Sequence, residues 1–99
     1  MEKTFEINGI NYRIKKMNAI EILAIRGTIS FDDYEKLVKA YDVLLSKVEV
    51  QLKDKWLQVK QGDDFYPASL ENDPITVEKI AKQVMSYIVS VFQQSDTSK

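Results

Sequence analysis

The sequence contains neither cysteine nor histidine among its 99 residues. Disulfides, thiolate or imidazole metal ligands and a Ser-His-Asp catalytic site are therefore excluded, together with the usual general bases that titrate near neutral pH. Glycine is also scarce, and its three residues fall at predicted turns or helix ends, so the chain lacks a glycine-rich loop that could hold a phosphate. We therefore expect a protein without enzymatic activity, cofactor or bound metal.

Neither sign of charge dominates, because 14 Lys and Arg residues and 15 Asp and Glu residues leave a net charge of −1. The chain consequently has no overall electrostatic attraction for nucleic acid or for an anionic membrane. Long apolar runs are missing as well, since no stretch approaches the roughly 18 apolar residues of a transmembrane helix, and the N-terminus lacks a secretory signal. We expect a cytoplasmic protein with no nucleic-acid or membrane partner.

Two pairs of adjacent acids, Asp32-Asp33 and Asp63-Asp64, are candidate metal ligands by residue type. Adjacent carboxylates point in different directions on a helix, and the second pair lacks a calcium-loop pattern. We interpret the first pair as the start of a helix, where the helix dipole favours negative charge, and the second pair as part of a solvated loop.

The apolar content of 44% is sufficient for one folded domain. A chain of this size buries roughly 65% of its unfolded surface, which is enough for one hydrophobic core but not for two. The predicted elements indicate a small single α+β domain over residues 1–94, with an N-terminal β-hairpin, an amphipathic helix, a second β-hairpin and a long C-terminal helix. Residues 95–99 are predicted to form a flexible polar tail.

The first hairpin is predicted from Asn8-Gly9, which is the favoured pair for a type I′ turn because both central positions need a positive φ. This turn makes Ile7 face Ile10 and Phe5 face Tyr12. Strand alternation then places the apolar residues of both strands on one face: Phe5, Ile7, Ile10, Tyr12 and Ile14. This face is expected to cover part of the core.

A short helix is predicted to follow, over residues 19–26. Asn18 is its candidate N-cap, and Glu21 is the candidate partner in a capping box. Gly27 is expected to end the helix in the left-handed conformation that is common at that position.

The next helix is predicted to span about residues 31–47, with Ser30 as its N-cap and two acids in its first turn. Spacing at 100° per residue places its apolar side chains in one arc. The residues of that arc are Phe31, Tyr34, Leu37, Val38, Tyr41, Leu44, Leu45 and Val48.

Alternating apolar residues predict a second hairpin from Val48 onward. Asp54-Lys55 is the candidate turn, which would pair Leu52 with Leu57. Because this dipeptide is a poorer turn former than Asn-Gly, a longer loop is the alternative. The stretch from Lys60 to Asp73 is interpreted as an irregular connector, because it contains glycine, adjacent acids and proline.

The last helix is predicted to span about residues 74–93, since Asp73-Pro74 supplies an N-cap and a first helical residue. Its apolar arc covers about 160° of the helix, whereas an ordinary surface helix needs roughly 100°. Two interpretations are open. The arc either serves two internal layers, or its outer flank of Met85, Val89 and Phe92 faces another protein or a second copy of the chain.

Trp56 and Phe65-Tyr66 are large aromatic residues near predicted turns. They either pack in the core or rim of the second hairpin or contact a partner, because aromatic residues are over-represented at binding hot spots. The candidate partner-binding residues are therefore Met85, Val89, Phe92 and Trp56.

A series of short landmarks runs through most of the chain: Phe5-Glu6-Ile7-Asn8-Gly9 with Tyr12, Tyr41-Asp42 with Leu45, Val48-Glu49-Val50, Trp56, Tyr66-Pro67, Leu70, Asp73 and Val91-Phe92-Gln93-Gln94-Ser95. In this order the landmarks resemble those of the small tail assembly chaperones of long-tailed bacteriophages and prophages.

The resemblance implies a non-enzymatic assembly factor in the cytoplasm of the host bacterium, absent from the finished virion. Members of that family bind the long, aggregation-prone tape measure protein, keep it soluble and help to recruit tail tube subunits around it. The family supplies no catalytic residues, and its binding residues are not defined by a motif. The candidate binding residues of this chain therefore rest on the sequence patterns alone.

Two other classes of function stay open. A structural head–tail joining or tail completion protein would form a ring and remain in the virion. A DNA-binding repressor or an antitoxin is disfavoured by the near-neutral charge and by the lack of an Arg-rich recognition helix.

Overall fold

A computed structural model describes residues 3–30 and 32–97 of the chain. In chain order, the described elements are β1 (Lys3–Ile7), β2 (Ile10–Ile14), α1 (Ala19–Thr28), α2 (Tyr34–Ser46), β3 (Val48–Leu52), β4 (Lys55–Gln58), β5 (Lys60–Gln61), β6 (Asp64–Phe65), a 3-10 helix (Ala68–Asn72) and α3 (Pro74–Thr97). The first four strands form one antiparallel sheet in the order β1-β2-β3-β4, and β5 pairs with β6 in a separate ribbon. The predicted single α+β domain is confirmed.

The first hairpin has the predicted turn and register. Asn8 and Gly9 have φ values of 54° and 80°, and Ile7 pairs with Ile10 while Phe5 pairs with Tyr12. The apolar face of the hairpin lies against the core, with Tyr12 only 1% exposed. The opposite face is polar and is directed to solvent, as is common for an antiparallel sheet that packs on one side.

The core lies between one face of the four-stranded sheet and the three helices. Strand β3 continues this face because it pairs with β2, with Tyr12 opposite Val50 and Ile14 opposite Val48. All three helices contribute to the same buried cluster, which contains Ile7, Tyr12, Ile14, Met17, Ile22, Ile25, Leu44, Leu45, Val48, Val50, Val59, Leu70, Ile80, Ala81, Val84 and Ile88.

The second hairpin is present, but its predicted turn is wrong. Lys53 and Asp54 form the turn, with Lys53 in the left-handed conformation at φ 59°, and Leu57 faces Val50 rather than Leu52. The error is a shift of the pairing by two residues. Because side chains alternate with a period of two, this shift leaves every side chain on its predicted face.

Helix α1 begins as predicted and ends differently. The Asn18 side chain accepts a hydrogen bond from the backbone N–H of Glu21, and the Glu21 carboxylate accepts one from the backbone N–H of Asn18. Gly27 does not end the helix, because α1 continues to Thr28 and Ile29 is the C-cap in an extended conformation. A left-handed residue is therefore not needed at this helix end.

Helix α2 begins three residues later than predicted. Asp33, rather than Ser30, is the N-cap, and its side chain accepts a hydrogen bond from the backbone N–H of Lys36 at 2.9 Å. The buried stripe runs along the later turns through Ala40, Leu44 and Leu45. Tyr34 and Val38, which the sequence pattern places on the apolar face, are 77% and 40% exposed because they precede that stripe. The predicted position of Phe31 lies outside the described residues.

The predicted irregular connector contains ordered elements. β5 and β6 form a tight ribbon around Gly62, whose φ is 60°, and the 3-10 helix follows a cis Tyr66–Pro67 peptide bond. The ribbon is attached to α2 by an ion pair of 3.0 Å between the Lys60 ammonium and the Asp42 carboxylate. Asp63 is exposed in the turn and Asp64 is exposed in β6.

Helix α3 begins at the predicted residue. The Asp73 carboxylate accepts hydrogen bonds from the Thr76 hydroxyl at 2.7 Å and from the Thr76 backbone N–H at 3.1 Å, and these bonds lower the pKa of Asp73. Burial raises the pKa of the Tyr12 phenol, and the nearby Asp73 charge raises it further. The helix runs to Thr97, so the backbone of residues 95–97 is helical where the sequence predicts a tail.

The described residues contain no helix that combines the length and the apolar content needed to cross a membrane.

A pair of glycine substitutions tests the turn and the helix end. Gly9→Ala should destabilise the fold by about 1 kcal/mol, because an L-residue at positive φ is strained. Gly27→Ala should stabilise it by up to about 1 kcal/mol, because Gly27 lies in a helix and a methyl group there meets no atom within 4 Å. Urea denaturation followed by circular dichroism measures both. Equal effects of the two substitutions would contradict the assigned conformations.

The two helix-start carboxylates predict a loss of stability in acid. Hydrogen bonds from Thr76 lower the pKa of Asp73, and the Asn18 backbone N–H and the Lys47 ammonium lower that of Glu21. Because these pKa values are depressed in the folded state, the stabilisation is present above the usual values and is lost as the pH falls through the folded ones. The free energy of unfolding should therefore decrease as the pH falls below the usual carboxylate pKa values of about 4.

Urea denaturation at a series of pH values measures this decrease. The double variant Asp73→Asn with Glu21→Gln should be less stable near neutral pH and should lose less stability in acid. An acid dependence identical to that of the wild-type protein would rule out these two groups as its source.

Candidate functional site

One side of α3 faces the core and the adjoining side is open to solvent. Ile80, Val84 and Ile88 are buried, whereas Met85 is 37% exposed and Val89 is 54% exposed. Both exposed residues lie on the flank that the sequence assigned to a partner. The apolar arc of α3 therefore extends past the part that the core covers.

This flank of α3 forms a shallow apolar groove with the C-terminal half of α1. The groove encloses about 270 Å³ and is lined by Ile25, Arg26, Ile29, Met85, Ile88 and Val89. We refer to this set as the α1–α3 groove. Its floor is formed by Ile25 and Ile88, which are 3% and 6% exposed, and its outer wall on α3 is formed by the two exposed residues.

Arg26 lines the groove and stacks on Phe92. The Arg26 guanidinium carbon is 4.1 Å from the centroid of the Phe92 ring, within the range of a cation–π contact. Phe92 is half-buried and packs against the core on its other side. It therefore offers less free surface than the other two α3 candidates, because α1 lies over it.

Helix α1 supplies surface residues that the sequence patterns did not single out. Ile20 and Leu23 are 73% and 45% exposed, while Ile22 and Ile25 of the same helix are buried. Leu23 precedes Arg26 by three residues, so it lies one turn earlier on the same side of α1. The sequence does indicate this apolar surface. Residues 19–27 contain two charged residues, Glu21 and Arg26, so a helical wheel of the segment shows more apolar side chains than one buried face needs.

Trp56 lies on the other face of the sheet and does not join the groove. It pairs with Gln51 across β3 and β4, on the solvent-facing side, and the Arg13 guanidinium stacks 4.2 Å from the centroid of its ring. Arg13 also forms a 2.7 Å ion pair with Glu49. Because α3 packs on the opposite face of the sheet, one contact surface cannot include both Trp56 and the α3 candidates. Phe65 and Tyr66, by contrast, pack against the core.

Arg26 is the charged side chain that lines the groove. Among the described side chains of α1 and α3, the acids are Glu21 and Glu78. Glu21 is bound to Lys47 at 3.1 Å, and Glu78 lies 3.7 Å from Lys82 on the surface of α3. Neither acid lines the groove, whereas Arg26 does. The groove thus combines apolar walls with one guanidinium.

This arrangement is suited to protein binding. Ligand pockets usually enclose most of a small molecule and present convergent polar groups, whereas the α1–α3 groove is open and apolar apart from Arg26. The described residues also contain no group of three carboxylates that could hold a metal ion. An apolar groove between two helices commonly receives the apolar face of a third.

No protein-family model matches the sequence, no curated protein is similar to it, and no solved structure matches the fold.

Substitution of two adjacent residues on α3 tests which side of the helix is open. Ile88→Ala should cost about 2–5 kcal/mol of stability, because it leaves a cavity in the core. Val89→Ala should change stability by no more than about 0.5 kcal/mol, because that side chain is largely solvated. Urea denaturation followed by circular dichroism distinguishes the two. A large cost at Val89 would mean that this side is covered.

Proposed function

We propose that the protein is a non-enzymatic phage tail assembly chaperone that binds the tape measure protein, keeps it soluble and helps to recruit tail tube subunits. Its place of action is the cytoplasm of the host bacterium. The observation that carries this proposal is the α1–α3 groove with Met85 and Val89 exposed on its outer wall. The resemblance along most of the chain supports the choice of partner.

The groove supports the proposal because a chaperone of this kind needs an apolar surface for its client and a polar surface elsewhere. A tape measure protein is expected to be a long helix that exposes apolar side chains before assembly. The α1–α3 groove can receive one face of such a helix, and the exposed side chains of α1 can widen the contact. The outer face of the sheet carries a polar ladder, with Arg13 bound to Glu49 and Asn11 bound to Gln51, which favours solubility.

The expected affinity is suited to a temporary complex. Burial of about 400 Å² of apolar surface contributes roughly 10 kcal/mol before the costs of association, which consume much of it. Association costs of about 4 kcal/mol or more leave a net of about 6 kcal/mol or less, which corresponds to a dissociation constant of tens of micromolar or weaker. Tube subunits that cover a larger area of the tape measure protein could then displace the chaperone.

Co-expression with the tape measure protein encoded by the same phage tests the proposal. The wild-type chain should keep that protein in the soluble fraction, and the double variant Met85→Asp with Val89→Asp should lose this effect, because two carboxylates would be buried at the contact. Sedimentation followed by gel electrophoresis gives the soluble fraction of the tape measure protein.

The matched control is Val38→Asp with Ile75→Asp, which also adds two acids at exposed apolar positions but outside the groove. This control should keep the solubilising effect, and circular dichroism should show that both variants are folded. The proposal is wrong if the tape measure protein stays insoluble with the wild-type chain. Detection of the chain in purified virions by mass spectrometry would instead favour a joining or tail completion protein.

A further inference from the structure

The guanidinium of Arg26 is held in place without an acidic partner in the described part of the chain. It stacks 4.1 Å from the centroid of the Phe92 ring, and no hydrogen bond or ion pair joins it to another described residue. Stacking engages the flat face of a guanidinium and leaves the N–H donors around its edge available. Because stacking already restricts the Arg26 side chain, formation of an ion pair costs it less conformational entropy than it would cost an arginine that is free in solvent.

The position of Arg26 connects this guanidinium to the groove. The residue lines the groove together with Ile29 and Val89, so its charge lies at the edge of an apolar channel. Phe92 lies two helical turns after Met85, which places the guanidinium about 10 Å along α3 from the first wall residue. Among the described side chains of α3 the acid is Glu78, which lies seven residues before Met85 and about 21 Å along the helix from Phe92.

We infer that the α1–α3 groove selects an amphipathic helix that carries a carboxylate beside its apolar face, and that Arg26 binds this carboxylate. This inference rests on the proposed function and specifies the client segment: about two to three helical turns with apolar residues at i, i+3 or i+4 and i+7, flanked by Asp or Glu. The planar guanidinium can bind a carboxylate through two parallel hydrogen bonds, which sets the position of the helix along the groove. Arg26 is thus a specificity residue, and the apolar walls supply most of the affinity.

Two helical peptides of about 20 residues test the inference with the full-length protein. Both carry the same leucine face, and the positions beside that face hold glutamate in one peptide and glutamine in the other, which have similar helix propensities. Isothermal titration calorimetry should give about two- to fivefold tighter binding of the glutamate peptide at low salt. The preference should shrink at high salt, because the ion pair is near the surface.

Three variants make the result specific. Arg26→Gln should bind both peptides with the affinity that the wild-type protein has for the glutamine peptide. Lys55→Gln removes the same charge from an exposed position on β4 and should keep the full preference. Met85→Asp with Val89→Asp should bind neither peptide, and circular dichroism should show that each variant is folded.

The outcomes separate this inference from the proposed function. Equal affinity of the wild-type protein for both peptides would overturn the role of Arg26, while solubilisation of the tape measure protein could still succeed. Failure of both peptides to bind the wild-type protein would overturn the inferred client helix. Dimerisation of the wild-type chain in analytical ultracentrifugation, abolished by Met85→Asp with Val89→Asp, would show that a second copy fills the groove and would also overturn the inference.

Discussion

Burial of one face of the four-stranded sheet is the constraint on which the rest of the structure depends. Tyr12, Ile14, Val48 and Val50 on β2 and β3 are almost completely excluded from solvent, and buried residues of the three α-helices, together with Val59 and Leu70, complete the same core cluster. Helix α3, at about 36 Å, is long enough to extend across the whole sheet. Its start is capped by Asp73, and Ile80, Val84 and Ile88 face inward along its length.

The α1–α3 groove follows from the short length of α1. This helix has ten residues, and its inward side chains Ile22 and Ile25 reach the core. A helix of this length cannot also cover the flank of α3, so Met85 and Val89 remain exposed beside it. Arg26 stacks on Phe92 and also lines the groove, so this contact joins the two helices beside the open surface. Most of the surface that a partner could use is therefore set by packing of the core.

Local chemistry explains which parts of this fold are predictable from the sequence. Some turns and helix starts depend only on residues a few positions apart, which supply the dihedral angles or hydrogen bonds that the backbone needs there. These are Asn8-Gly9, Asn18 with Glu21, and Asp73-Pro74, and the sequence predicts them directly. The turn at Lys53 is different, because a lysine with positive φ has no local advantage and tertiary pairing of β3 must stabilise it. The groove was predictable in part. The apolar excess of α3 is visible on a helical wheel, whereas the approach of Arg26 to Phe92 joins distant segments and requires the folded chain.

The separation of Trp56 from the groove has a practical consequence for spectroscopy. The protein has one tryptophan, and it lies beneath the Arg13 guanidinium on the solvent-facing side of the sheet. Its indole emission depends on that stacked environment and therefore reports the integrity of the sheet. A peptide seated between α1 and α3, on the other side of the core, leaves this environment in place. An extrinsic dye near α3 and the natural fluorophore would accordingly give two independent optical signals from one sample, the first for occupancy and the second for unfolding.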